Sequence, residues 1–209
     1  MLISPESYYE MEIKGKTKQE ILKEIRSLKR KINEDRIYLE ESHEEPVKMY
    51  PDRRSMVSLE QQYLEYAIKG YEEAGGVYTL TKAEQKSRDF NELLDSLQRL
   101  VLTIHSYSGK IKRACTVHGD AVTVRAVRML NPIEFFDYGP VPKEKFISVL
   151  KEMHMGGWRR RYSNPEIEDG VDWKLEIEFA DGKIIRKSGY NAYPYNFSDL
   201  THFLKMDSE

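Results

Sequence analysis

Three arginines stand in a row between two aromatic residues in the second half of the chain. The segment is Trp158-Arg159-Arg160-Arg161-Tyr162. Guanidinium groups grip phosphate or carboxylate through paired hydrogen bonds, and aromatic rings stack on bases. Trp, Tyr and Arg also dominate protein-binding hot spots. An edge strand with Trp158 and Arg160 on one face and the other two arginines on the opposite face explains the same pattern, so three interpretations remain open.

A second basic segment lies nearer the N-terminus. Between Lys14 and Arg36 nine residues are basic and four are acidic, so nine minus four gives a local excess of +5. One face of a helix with this composition can follow a phosphate backbone. A solvated helix face with Glu–Lys pairs explains the same charges. If the face binds a ligand, the contacting residues are Lys23, Arg26, Lys29 and Arg30.

Candidate catalytic groups are scattered along the chain. The five histidines form no metal-binding motif, and the sequence contains no phosphate-binding glycine loop, nucleophile elbow or dinucleotide fingerprint. Asp172, Glu176 and Glu178 share one strand face, which is geometrically compatible with a cation site. A two-residue turn at Asp181-Gly182 places Lys187 opposite Glu176, however, so a cross-strand ion pair explains these charges better. We predict no catalytic residue, no metal and no cofactor.

The chain has one cysteine, Cys115, which excludes an internal disulfide and any multi-cysteine metal site. A two-residue turn at Gly119-Asp120 would place Cys115 opposite Val124 on the apolar face of a hairpin. We therefore predict a buried, inert thiol rather than a nucleophile.

We predict that these residues are positioned by a helical N-terminal part and by an α+β domain that follows it. Thr17 and Glu20 form a capping-box pattern at the start of a helix predicted over residues 17 to about 42. A second helix over 53–74 ends at Gly75-Gly76. The apolar stripe of the first helix needs a partner, and the second helix is the nearest one. We predict an antiparallel helical hairpin forming an arm over residues 1–76.

The remaining residues, 77–209, predict an α+β domain. A capping box at Thr81 begins a third helix, and alternation predicts a strand near 100–105. Two hairpins join 111–118 to 121–130 and 171–180 to 183–189, and short helices follow Pro142 and Pro194. Residues 131–140 are predicted to form a long loop. The expected fold is a mostly antiparallel sheet of about five strands with helices on one face.

Composition limits the class of protein further. The 209 residues include 33 basic and 35 acidic side chains, and the net charge is -2. This balance supports neither a globally basic nucleic-acid binder nor an acidic nucleic-acid mimic. No run of about 18 apolar residues is present, and the first residues lack the features of a signal peptide. We predict a cytoplasmic protein that does not contact a membrane.

Several motifs resemble a group of proteins from Gram-positive bacteria. They are ISPESYYE at residues 3–10 followed by KGKT at 14–17, EAGG at 73–76, GWRR at 157–160 and GYNAYPYNF at 189–197. Genes of this group often lie in mobile-element surroundings, and no established activity or catalytic residue comes with the resemblance. It implies an accessory protein of a plasmid, phage or transposon in the bacterial cytosol. Such proteins often bind host machinery, including CRISPR nucleases.

These observations favour a non-enzymatic binding or inhibitor protein that acts on a host protein or nucleoprotein. The most specific form of this hypothesis is an anti-defence protein, such as an anti-CRISPR. The alternative is a nucleic-acid-binding protein or nuclease that uses the basic helix and the Trp158–Tyr162 segment.

Overall fold

A computed structural model describes residues 3–41, 52–107, 109–129, 134–167 and 170–206. The chain divides into two compact units, Met1–Leu80 and Thr81–Glu209. The described helices of the first unit are α1 (Pro5–Tyr8), a π-helical turn (Tyr9–Ile13), α2 (Lys18–Glu41) and α3 (Arg53–Glu73). Residue 42, the predicted end of the first long helix, lies outside the described residues.

The two long helices pack antiparallel, as the predicted hairpin requires. Lys18 at the start of α2 donates a hydrogen bond to the carbonyl of Gly75, just after α3. Asp35, near the end of α2, pairs with Arg53 at the start of α3. The apolar stripe between these contacts is buried, because Ile21, Ile25, Leu28 and Ile32 face the partner helix.

The N-terminal segment packs back onto this hairpin. The ring of Tyr8 stacks on Tyr63 with 4.1 Å between centroids, and its hydroxyl donates to Glu24 at 2.8 Å. Ile13 lies against Gly70, where a Cβ atom would collide with the isoleucine side chain. The tyrosine-rich motif at the start of the chain is therefore part of the core of the helical unit.

Helix boundaries follow the predicted capping signals. The side chains and backbone amides of Thr17 and Glu20 are reciprocally hydrogen-bonded, and those of Thr81 and Glu84 form a full capping box. Gly75 takes a left-handed φ of 80° after α3, as a C-terminal cap requires. None of the helices in the described ranges is long and apolar enough to cross a membrane.

The second unit is an α+β domain with a mixed, mostly antiparallel sheet. Its described elements, in chain order, are α4 (Lys82–Leu94), β1 (Leu97–Ser106), β2 (Gly109–His118), β3 (Ala121–Met129), β4 (Glu134–Pro142), α5 (Lys143–Glu152), a 3₁₀ turn (Met155–Gly157), β5 (Arg161–Ser163), β6 (Asp172–Phe179), β7 (Ile184–Tyr190) and α6 (Phe197–Phe203). The strand order is β4-β3-β2-β1-β6-β7-β5. Among the described strands, only β5 and β7 pair in parallel.

One face of this sheet and the three helices α4, α5 and α6 enclose the core of the second unit. Leu100 and Leu102 of β1 lie between Cys115 and Arg113 of β2 on one side and the β6 residues Ile177 and Leu175 on the other. Alternation then places the polar residues of the central strands on the opposite, open face. The buried side chains of the covering helices include Phe90, Leu94, Phe146, Leu150 and Leu200.

The described sheet has seven strands, so the prediction of about five was wrong. The additional strands are β4 and β5. β4 begins at Glu134, inside the predicted 131–140 loop, and residues 131–133 lie outside the described residues. Its prolines are tolerated because β4 is an edge strand with an irregular register between Val122 and Val124 of β3.

The two predicted hairpins have different outcomes. The β2–β3 register is confirmed, with Val117 opposite Val122 across a turn at Gly119-Asp120. The β6–β7 turn has three residues instead of two, because the amide of Phe179 bonds to the carbonyl of Lys183 and Gly182 takes a φ of 79°. The predicted pairing of Lys187 with Glu176 was therefore wrong.

Candidate binding groove on the open sheet face

The open face of the sheet carries a groove of about 680 Å³, hereafter the open-face groove. Strands β1, β6 and β7 contribute Thr103, Lys174 and Ser188, and the segment around the start of β5 contributes two arginines. The charged residues of the open face and of this segment that line the groove are Lys110, Arg160, Arg161, Lys174, Glu176 and Arg186.

Positive charge dominates these six side chains. Glu176 is the single carboxylate among them, and it accepts a hydrogen bond from Nε of Arg186 at 2.7 Å. The side chains of Lys110, Arg160, Arg161 and Lys174 form no ion pair or hydrogen bond with any other described residue. Four cations without partners in the described part of the chain create a local field that favours an anionic ligand.

A row of hydrogen-bond donors crosses the sheet at right angles to the strands. Lys112 of β2 lies opposite Thr103 of β1, and Thr103 lies opposite Lys174 of β6. Lys174 in turn lies opposite Ser188 of β7, which is level with Arg161 of β5. We call these five residues the donor row. Because neighbouring strands are about 4.8 Å apart, cations recur at intervals of about 10 Å, with a hydroxyl between each pair.

Two aromatic rings lie on the adjacent row of the same face. His105 of β1 lies opposite Asp172 of β6, and Asp172 lies opposite Tyr190 of β7. The imidazole Nδ1 of His105 is 3.8 Å from the carboxylate of Asp172. Adjacent residues on one face of a strand are about 7 Å apart, so this row runs beside the donor row at that distance.

The aromatic residues of the predicted arginine segment are anchors in the core. Trp158 is 1% exposed, and its indole N–H donates to the side-chain oxygen of Asn196 at 2.9 Å. Tyr162 is also buried, and its hydroxyl accepts a hydrogen bond from the backbone amide of Arg159 at 2.9 Å. The guanidinium carbon of Arg159 is 4.7 Å from the centroid of the Tyr162 ring.

Arg160 and Arg161 both line the open-face groove, so the predicted alternation across an edge strand was wrong. The reason is local: the strand begins only at Arg161, and the preceding residues leave the 3₁₀ turn Met155–Gly157 without strand geometry. Both arginines therefore line the open-face groove, and Arg160 also lines a second cavity beside Phe90 and Lys187.

The basic residues predicted on the first long helix belong to the helical unit. Lys23, Arg26 and Arg30 are exposed on α2, and Arg30 lies 3.9 Å from Glu34 one turn later. The ammonium group of Lys29 is 5.0 Å from the centroid of the Tyr78 ring. Each unit of the chain therefore carries one candidate surface for an anionic partner.

Lys187 faces the core instead of the open face. It is 7% exposed, and its ammonium group donates to the carbonyl of Trp158 at 2.8 Å. Burial, together with the nearby charge of Lys86, lowers the pKa of Lys187 to about 8. A second cavity of about 520 Å³ adjoins it, lined by Phe90 and Leu93 among others. Sequence reasoning missed this buried amine because it assigned the wrong turn length.

The cysteine and carboxylate predictions can be compared directly with the structure. Cys115 is fully buried opposite Val124, as predicted, and burial raises the pKa of its thiol to about 12. Of the three strand-face carboxylates, Asp172 lies near His105 and Glu176 pairs with Arg186. No three His, Cys, Asp or Glu side chains cluster as metal ligands in the described ranges.

Comparison of the chain with protein-family models, curated proteins and solved structures found no match. Function is therefore inferred from the residues of this chain.

Proposed function

We propose that the protein is a binding protein that contacts the nucleic-acid phosphates of a nucleoprotein target through the open-face groove. The observation that carries this proposal is the convergence of Lys110, Arg160, Arg161 and Lys174 on one concave surface, with no ion-pair partner among the described residues. Arginine and lysine are the side chains that bind phosphate most strongly, because their hydrogen bonds are charge-assisted.

The extent of the charged surface favours a polyanion over a small anion. The donor row that begins at Lys112 and ends at Arg161 crosses five strands, or about 19 Å at the strand spacing of a sheet. A single phosphate or carboxylate can contact only one end of such a row. A nucleic-acid backbone carries a charge on every nucleotide and can contact the whole length.

The resemblance to accessory proteins of mobile elements supports a target in the bacterial host. In its most specific form the proposal is that the protein inhibits a defence nucleoprotein, such as a CRISPR nuclease, by occupying its nucleic acid or the channel that holds it. The activity is binding, without chemical change of the target.

The first experiment measures binding of the full chain to labelled single-stranded DNA, single-stranded RNA and duplex DNA. The groove variant is Arg160→Gln/Arg161→Gln/Lys174→Gln, which removes three of the four cations without partners. We expect the native protein to bind at low salt with an affinity that falls steeply as salt rises, and the groove variant to lose most of this binding. Glutamine keeps the polar surface, and exposed charges contribute little to folding stability.

A matched variant on the other unit separates the two candidate surfaces. Lys23→Gln/Arg26→Gln/Arg30→Gln removes the same number of charges from α2, and we expect it to bind as the native protein does. Loss of binding in this helix variant, with retention in the groove variant, would assign the contact to α2 and refute the proposal. Adding a divalent metal to the same mixtures tests the nuclease alternative, because strand cleavage would contradict a pure binding function.

The inhibitor form of the proposal has its own test. Increasing amounts of the protein are added to a purified RNA-guided nuclease of a Gram-positive host with its DNA target. We expect cleavage to fall with the native protein and to persist with the groove variant. Cleavage that is unaffected by the native protein would contradict inhibition of this nuclease while leaving the nucleic-acid contact to be judged by the binding assay.

A further inference from the structure

We infer that the nucleic acid held in the open-face groove is single-stranded and runs across the β-strands, with its phosphates on the donor row and its bases over Tyr190 and His105. This inference rests on the proposed function and specifies the ligand. Two observations carry it: the alternation of donors along the row and the aromatic row beside it.

The donor row matches a phosphodiester backbone in chemistry and direction. Lys112, Lys174 and Arg161 supply charge, while Thr103 and Ser188 supply neutral hydroxyl donors between them. No carboxylate interrupts this sequence of five side chains. The neighbouring row on the other side contains the ion pair of Glu176 with Arg186, so the continuous line of donors is one residue wide.

The aromatic row favours a ligand that has flat rings as well as negative charge. His105 is exposed and Tyr190 is half-buried on the same face, about 7 Å from the donor row and separated from each other by Asp172. This offset is on the scale of the distance between a backbone phosphate and its base. Rings at such positions form stacking platforms for unpaired bases, and stacking tolerates any base.

These two rows together favour a single strand over a duplex. In a duplex the flat faces of the bases are stacked on one another and are closed to protein side chains. Unpaired bases can turn out of the strand and stack on aromatic rings while the backbone remains on the cations. A duplex can contact the donor row, but its paired bases cannot stack on Tyr190 or His105. An acidic protein segment can likewise contact only the charged side chains.

The experiment measures fluorescence anisotropy with the full chain and three probes. They are labelled oligothymidylate of about 12 nucleotides, a duplex of the same length and a labelled polyglutamate peptide. Each titration is repeated between about 50 and 200 mM salt, so that the salt slope and the salt-independent affinity are obtained separately. We expect oligothymidylate to bind at least about tenfold more tightly than the other two probes.

Variants of the two rows should change different quantities. Arg161→Gln/Lys174→Gln should reduce the salt slope for oligothymidylate by about 1.4, at about 0.7 for each phosphate that is no longer neutralised. Tyr190→Leu should weaken binding roughly tenfold without changing that slope, and Tyr190→Phe, which keeps the ring, should bind as the native protein does. Lys145→Gln, an exposed lysine on α5, is the charge control and should alter neither quantity.

The outcomes separate this inference from the proposed function. If no nucleic acid binds at all, both fail. If the duplex binds as tightly as oligothymidylate, or Tyr190→Leu binds as the native protein does, the groove binds phosphates alone and the single-strand inference is wrong. If polyglutamate binds most tightly, the ligand is an acidic protein segment and both are wrong. Thermal melting checks the fold of each variant, and His105→Leu replaces Tyr190→Leu in the same test if the latter unfolds.

Discussion

Replacement of the buried Lys187 by methionine should change the way stability depends on pH. In the folded protein the ammonium group is enclosed and its pKa is lowered to about 8, against an ordinary value of 10.5. The unfolded chain therefore holds this proton more tightly than the folded protein does. The charged lysine opposes folding below pH 8, and the opposition fades as the pH rises towards 10.5. Methionine has a similar shape and no proton to lose.

The size of the effect follows from these two pKa values. Proton linkage through one group gives a penalty of about 3 kcal/mol at pH 7 and about 1 kcal/mol at pH 10. The native protein should therefore gain about 2 to 3 kcal/mol relative to Lys187→Met between pH 7 and pH 10. Methionine also removes the hydrogen bond to the Trp158 carbonyl. This loss changes the unfolding free energy of the variant by an amount that is the same at every pH.

Urea unfolding followed by tryptophan fluorescence measures this difference. Both tryptophans, Trp158 and Trp173, are buried in the unit that contains Lys187, so the signal reports that unit. Lys183→Met, at an exposed position before β7, is the control and should track the native protein at every pH. A native-minus-Lys187→Met difference that stays constant from pH 7 to pH 10 would show that the amine is solvated, and would refute the inward register of β7.

Three further predictions concern other parts of the molecule. Ile25→Asp should destabilise the helical unit by several kcal/mol, because it places an unpaired charge in the α2–α3 interface; an unchanged thermal melting curve for that unit would contradict the packing. Cys115 should react slowly with an aromatic disulfide reagent until the protein unfolds, and rapid labelling of the native state would show an accessible thiol. Lys31→Met should cost about 3 kcal/mol by leaving the buried Glu60 without its partner, whereas Lys23→Met on the exposed face should cost little in the same denaturation assay.

The local signals in the sequence were sufficient to predict helices α2 to α6 and one hairpin, whereas the short helix α1 was not predicted. Capping boxes at Thr17 and Thr81 depend on residues three apart, and the structure contains both. The β2–β3 register follows from the two-residue turn at Gly119-Asp120. The strand β4 was missed because Gly139 and Pro140 are typical of loops, and its position at a sheet edge is a tertiary property.

The β6–β7 register depends on packing that the sequence does not reveal. Two-residue and three-residue turns are both compatible with Asp181-Gly182, and they place opposite faces of β7 against the core. In the structure Gly189 lies opposite Trp173, where a Cβ atom would collide with the indole. The same register that places Gly189 against the Trp173 indole also turns Lys187 towards the core.

The candidate site was predictable only in part. Arg160 and Arg161 drew attention because three arginines in succession are unusual, and both line the groove. The rest of the donor row comes from residues far apart in sequence, such as Thr103 and Ser188, which meet through the order of the strands. Single-sequence patterns do not give strand order, so neither the row nor the groove could be assembled from them.

The buried rings of Trp158 and Tyr162, on either side of the arginines, also reduce the entropy that is lost when a ligand binds. Trp158 and Tyr162 hold both ends of this short segment in the core, and the Arg159 amide is tied to the Tyr162 hydroxyl. The backbone of Arg160 is thus ordered before any ligand arrives, and its carbonyl accepts the amide of Ser188. An anion that binds here needs to immobilise only the arginine side chains, at about 0.5–1.5 kcal/mol each. Preorganisation of this kind lets a small site bind more tightly than its area suggests.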